Sequence, residues 1–154
     1  MTECTTCSPM VRVMYNRKYN LETRHVNFSL LVFHFSLISF MESILKSKSY
    51  KFAIRIVTLV QGLHKNRREL VLSKQVLRSG TAIGALVREA EFGQSKADFI
   101  HKLSISLKEA NETDYWLCLL KDSGYISDEE FATLAFECKE LIAILVSSIK
   151  TAKK

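Results

Sequence analysis

Proline is almost missing from this chain: among 154 residues there is one, Pro9, together with only five glycines. So few residues that break helices or close tight turns argue against a many-stranded sheet protein, whose turns draw on both. Cysteine is scarce and badly placed for crosslinking. Cys4 and Cys7 stand in the first few residues, while Cys118 and Cys138 fall inside helical patterns, which is no secreted disulfide framework. A structural zinc site would need a second ligand pair to answer Cys4-Thr-Thr-Cys7, and none stands out. Long hydrophobic runs are lacking too. The run FSLLVFHFSLISF, from Phe28 to Phe40, is interrupted by His34 and three serines. It falls short of the roughly 20 apolar residues that a membrane span needs. No small-x-small cleavage site follows it, so a signal peptide fits poorly.

What the chain does hold is a helical beat from about residue 49 onward. A first helix is expected over about Ser49 to Asn66, with Phe52, Ile56, Leu59 and Leu63 on its seam and Ala53, Val57 and Val60 widening it. Lys65-Asn66-Arg67-Arg68 reads as a polar connection. A second helix, about Leu70 to Phe92, carries Val76, Gly80, Ile83, Val87 and Ala90 at spacings of four and three, and Gly93 is expected to close it in the left-handed conformation. Ser95 then starts a third helix, with Asp98 three residues on in a capping-box-like arrangement. Its seam is Phe99, Leu103, Ser106, Ala110, Thr113, Leu117 and Leu120, and it ends at Gly124. Ser127 followed by Glu130 signals a fourth helix, which keeps its beat through Phe131, Ala135, Cys138, Ile142, Leu145 and Ile149. Small residues on the second and third seams (Gly80, Gly84, Ala90, Ser106, Ala110) predict a close approach of those two helices. Four helices with short connections favour antiparallel neighbours, so the expected fold is all-α, an up-down-up-down four-helix bundle.

The stretch QVLRSGTAIGALVREAEFGQSKADFIHKLSISLKEANETDYWL carries a resemblance as well, densest over LRSGT-x-IG, SK-x-DFIHKLSI-x-LKEA and ET-x-YWL. It is similar to the signature of the four-helix bundle family named after 23S rRNA intervening sequences. That family also includes accessory proteins of diversity-generating retroelements. Where the family often has Asn after the Ile-Gly-Ala triplet, this chain has Leu86. The resemblance covers most of residues 47 to 150 and implies a four-helix bundle. Through the retroelement accessory proteins it further implies a five-fold homo-oligomer and a reverse transcriptase as a possible partner.

Residues 1–40 stand outside the pattern, and the bundle beat begins soon after Met41. The expectation is therefore an N-terminal extension over 1–40, with translation starting at Met41, and a bundle domain over 41–154. A mobile tail or a membrane-surface anchor is the other reading of the extension. A cytoplasmic protein with no membrane span is expected.

Chemistry finds little foothold in the sequence. Asp98-x-x-His101 occurs once, on the side of its helix away from the seam, where di-metal bundles need two such pairs and two further Glu. It reads as a surface cap and a surface histidine. There is no Ser or Cys with a plausible His-Asp set, no Walker-type loop, and no Arg ahead of a His at the spacing used by HEPN ribonucleases. No catalytic residue, cofactor or metal is expected. Two features do point to contacts. Ile105, Trp116 and Leu119, interleaved with Glu109 and Glu112, cluster away from the third seam, which predicts an oligomer interface. Lys plus Arg exceed Asp plus Glu by 22 − 16 = 6. In an up-down-up-down bundle Lys46, Lys48, Lys51, Lys96, Lys150, Lys153 and Lys154 would collect at one end, the footprint of phosphate-backbone binding. Together these features point to a non-enzymatic homo-oligomeric scaffold or nucleic-acid-binding accessory protein for RNA or DNA. The alternative is a small RNA-processing or metal-dependent hydrolase built on the bundle.

Overall fold

A computed structural model describes the backbone from residue 28 to residue 154, and side chains from residue 43 onward. The expected start at Met41 concerns residues that lie largely outside that range. Four helices make up the described chain: α1 (Phe28–Gly62), continued by a π-helical turn (Leu63–Arg67), then α2 (Leu72–Glu91), α3 (Lys96–Asp122) and α4 (Asp128–Lys153). No helix among the described residues is long and apolar enough to cross a membrane.

The first helix departs from the expected span, beginning at Phe28 rather than near Ser49. Between Phe28 and Gln61 there is no glycine or proline, so nothing in the chain stops a helix once begun. Its buried stripe accordingly starts earlier, at Leu45 and Ser49, before running through Phe52, Ile56, Val60 and Leu63. The other seams hold where the spacing put them. Val76, Ile83, Val87 and Ala90 on α2, the whole set from Phe99 to Leu120 on α3, and Cys138, Leu145 and Ile149 on α4 are all buried. On α4 the stripe is wider than a single beat, since Leu134 and Leu141 are also buried while Phe131 and Ile142 lie at its margin.

Cross-helix pairs establish the directions. Ser106 Oγ donates to the Ile83 carbonyl at 3.0 Å, and Thr113 Oγ1 donates to Ser79 Oγ at 3.0 Å, so residue numbers rise on α3 as they fall on α2. Lys46 meets Glu91 while Ile56 faces Gly80, which makes α1 antiparallel to α2. Cys138 bonds the Ala110 carbonyl while Lys121 meets Asp128, which does the same for α3 and α4. Each helix packs chiefly against its two neighbours in the order α1, α2, α3, α4 and back to α1, leaving α1 and α3 on opposite corners.

Three glycines act differently from their expected roles. Gly80 and Gly84 serve the α1–α2 contact, not α2–α3: a Cβ on Gly80 would stand 2.9 Å from Ile56 Cγ1, and one on Gly84 would meet Ser49 Oγ at 3.4 Å. The α2–α3 seam is drawn together instead by the hydroxyls of Ser79, Ser106 and Thr113, whose buried oxygens all find partners. Gly93 is not left-handed; among the described residues the positive-φ ones are Arg68 and Gly124. Gly93 is needed because a Cβ there would come within 3.1 Å of both the Ala90 carbonyl and the Phe99 amide, where α3 turns back on α2.

Helix starts use three different devices. Ser127 and Glu130 form the full reciprocal capping box on α4. On α3, Ser95 Oγ accepts from the Asp98 amide, but the Asp98 carboxylate reaches back one residue further, to the Gln94 amide at 3.0 Å. The start of α2 is held by Glu69, which nothing in the spacing had singled out. Its carboxylate accepts from the amides of Val71, Leu72 and Ser73 at 2.8, 2.7 and 2.7 Å. Burial works to raise this carboxyl, yet the amide bonds outweigh it and hold Glu69 below the usual carboxylate range.

Candidate nucleic-acid and subunit interfaces

Of the seven lysines expected at one end, four are brought together. Lys96 opens α3, Lys150 and Lys153 lie in the last turn of α4, and Lys154 follows it, all at the end where α3 begins and α4 stops. The three on α1 differ from these: Lys46 reaches the same end, beside Glu91 in the last turn of α2, whereas Lys48 and Lys51 lie further along the flank. Lys46 is tied to Glu91 and Lys48 to Glu140, both at 2.7 Å. Glu140 precedes Lys150 by ten positions on α4, roughly 15 Å of helix, so Lys48 lies on the flank of the bundle. Lys51 lines the same flank, in a shallow groove of about 310 Å³ with Ile44, Ser47, Phe52, Glu137, Glu140 and Leu141. The physical reason is the early start of α1: these lysines sit well inside a helix rather than at its beginning.

The opposite end is not a simple balance of charge. His64, Lys65, Arg67 and Arg68 are all exposed on the π-turn and the left-handed residue that ends it. Beside them a cleft of about 710 Å³ opens between the end of α1 and the start of α4. Leu59, Leu63 and Leu134 form part of its lining, with Arg55, Arg67, Glu129 and Glu130 as its charges. Glu130 is held low by the Ser127 amide and hydroxyl, with Arg67 adding to the effect, so it stays a carboxylate through neutral pH.

The residues expected at an oligomer interface share one outer face of α3. Ile105, Glu109, Glu112, Trp116 and Leu119 are each partly covered within the single chain. Trp116 packs its ring against the core and donates its indole N–H to Glu112 Oε1 at 3.2 Å, an oxygen that Arg78 of α2 also holds at 2.8 Å. Its neighbour Tyr115 is the more open of the two, 58% exposed, and stacks edge-on against it with ring centres 4.9 Å apart. Glu109 Oε2 is buried and has no hydrogen-bond partner among the described residues.

Asp98 is the helix cap described above, and His101 is exposed on the surface. Among the described residues no group of three or more His, Cys, Asp or Glu is placed to hold a metal ion. Cys138 is fully buried and burial pushes its thiol up to about 12, well away from a reactive thiolate. Cys4 and Cys7 lie outside the described residues.

Comparison with known proteins agrees with this architecture. Residues 41–147 match the family described as 23S rRNA-intervening sequence protein. The chain is also similar, at 51% identity, to a crystal structure of a protein of unknown function from the S23 ribosomal protein family of Bacteroides thetaiotaomicron. That likeness covers 71% of this chain and 98% of the other, with a TM-score of 0.71. No curated protein matches the chain.

Proposed function

The chain belongs to the family of 23S rRNA-intervening sequence proteins, and on that footing we propose that it is a homo-oligomeric accessory scaffold that holds RNA or DNA by its phosphates without cutting it. The observation that carries this reading is the meeting of Lys96, Lys150, Lys153 and Lys154 where α3 begins and α4 ends. Cations on helix termini at one end of a subunit are repeated around a ring, and the summed field of such a face suits a polyanion. The pentamer and a reverse transcriptase as protein partner follow from the family resemblance, and the outer face of α3 around Trp116 supplies the subunit contact. Residue 41, where the family match begins, is taken as the start of the functional unit.

The test is a salt titration of binding to a single-stranded RNA and a duplex DNA. Log affinity falls linearly with log salt, with a slope of roughly 0.7 to 0.9 per phosphate neutralised. Replacing Lys150, Lys153 and Lys154 by Glu weakens binding to every sequence alike. Equal loss from replacing Lys65, Arg67 and Arg68 would place the contact elsewhere. Absence of binding at low salt would leave a protein partner as the function, and metal-dependent cleavage of the probe would make the chain a hydrolase.

A further inference from the structure

The first part of α1, Phe28–Phe40, is left over once the bundle is built. Its only polar residues are Ser29, His34, Ser36 and Ser39. The family match begins just after it, at residue 41, yet α1 is one helix from Phe28 to Gly62. The register of the helices fixes where the segment lies. Lys46 meets Glu91 in the last turn of α2, and from Lys46 back to Phe28 is about 27 Å of helix. The chain turns from α2 into α3 at that level, so neither helix continues beside the segment. On the remaining side α4 runs about 20 Å past Glu140, whereas α1 runs about 30 Å back from its partner Lys48. The segment therefore projects past every other described helix. A helix that is apolar nearly all round belongs in a protein core or in lipid, and this one leaves the core of its own bundle.

The charge around the segment is cationic. Lys96, Lys150, Lys153 and Lys154 gather at the end from which it emerges. The acids there are committed, Glu91 to Lys46, Glu140 to Lys48, Glu89 to Lys102 and Asp98 to the Gln94 amide. Glu42 is the one acid between Phe28 and Arg68, and ahead of the segment Arg12, Arg17, Lys18 and Arg24 outnumber Glu3 and Glu22.

From this placement we infer that Phe28–Phe40 anchors the chain on a membrane surface rich in anionic lipid, as an addition to the family unit that starts at residue 41. The segment falls short of the roughly 20 residues that cross a bilayer. Cations on both sides hold its two ends at headgroup level, so it enters one leaflet without crossing. Headgroup phosphates and nucleic-acid phosphates attract the same lysines. The apolar segment distinguishes them, because a polyanion in water offers it no burial.

Flotation of the full chain with phosphatidylcholine vesicles, with and without phosphatidylglycerol, tests the anchor. The natural chain should float with the anionic vesicles and more weakly with the neutral ones. Leu31→Glu combined with Phe35→Glu should lower the partition at least about thirty-fold, at unchanged helical circular dichroism and unchanged RNA affinity. Replacing Lys150, Lys153 and Lys154 by Glu should lower it at least about ten-fold, and on the anionic vesicles alone. A partition indifferent to the Leu31 and Phe35 changes, or a natural chain that ignores anionic vesicles at low salt, overturns the anchor and leaves the nucleic-acid reading standing. So does sedimentation in which those two changes dissociate a lipid-free assembly, since a second copy would then be what covers the segment.

Discussion

Replacing Glu69 by alanine removes a single buried carboxylate, and it should be among the more damaging single changes in the molecule. Three amides lose their acceptor at once, those of Val71, Leu72 and Ser73, and the last belongs to a residue with no exposed surface. Loss of a helix cap costs about 0.5–2 kcal/mol. A buried amide left without a partner adds about 1–3 kcal/mol. Since water reaches the first two amides, a net loss of about 2–3 kcal/mol is expected. For a domain of this size that lowers the melting temperature by roughly 5–10 °C. The pH dependence separates this cause from lost packing. Glu69 is held below its unfolded value of 4.5, so its stabilisation is full above that pH and disappears as pH falls through the lower folded value. Urea unfolding of the natural chain and Glu69→Ala should therefore differ fully at pH 7 and converge toward pH 3. A difference under about 0.5 kcal/mol at pH 7, or one that persists undiminished at pH 3, would refute the capping role.

Gly80→Ala gains about 1 kcal/mol of helix propensity but drives a methyl group to 2.9 Å from Ile56, an overpacking cost of about 1–3 kcal/mol, so it should destabilise on balance. Gly84→Ala meets its neighbour at 3.4 Å and should be neutral or stabilising; the reverse order in thermal melts would show that the α1–α2 contact is looser than described. In the native protein at pH 8, peptide-resolved alkylation should label partly buried Cys118 well before Cys138, whose raised thiol pKa keeps it protonated until the chain unfolds. Equal native labelling rates would contradict that burial.

Periodicity and cap signals determined that α2, α3 and α4 exist, where α2 and α3 begin and end and where α4 begins to within about two residues, and most of the side chains that face inward. The reason is local: an apolar residue every three or four positions can bury itself only in a helix, and Ser95 and Ser127 mark their own starts by bonds within one turn. Tertiary structure decided what no local rule encodes. Gly80 and Gly84 looked like spacers for α3 because that helix follows in sequence, but their open sides face α1 across a non-local contact. Lys46 and Lys48 read as free terminal charges until packing set Glu91 and Glu140 beside them, far along the chain. Glu69 is not a residue type that marks a helix start, and it serves as one only because the π-turn and left-handed Arg68 bring its carboxylate back over the first amides of α2. The charge pattern was legible as composition; which charges remain unpaired, and on which corners of the bundle, depends on distances between helices that the order of residues does not contain.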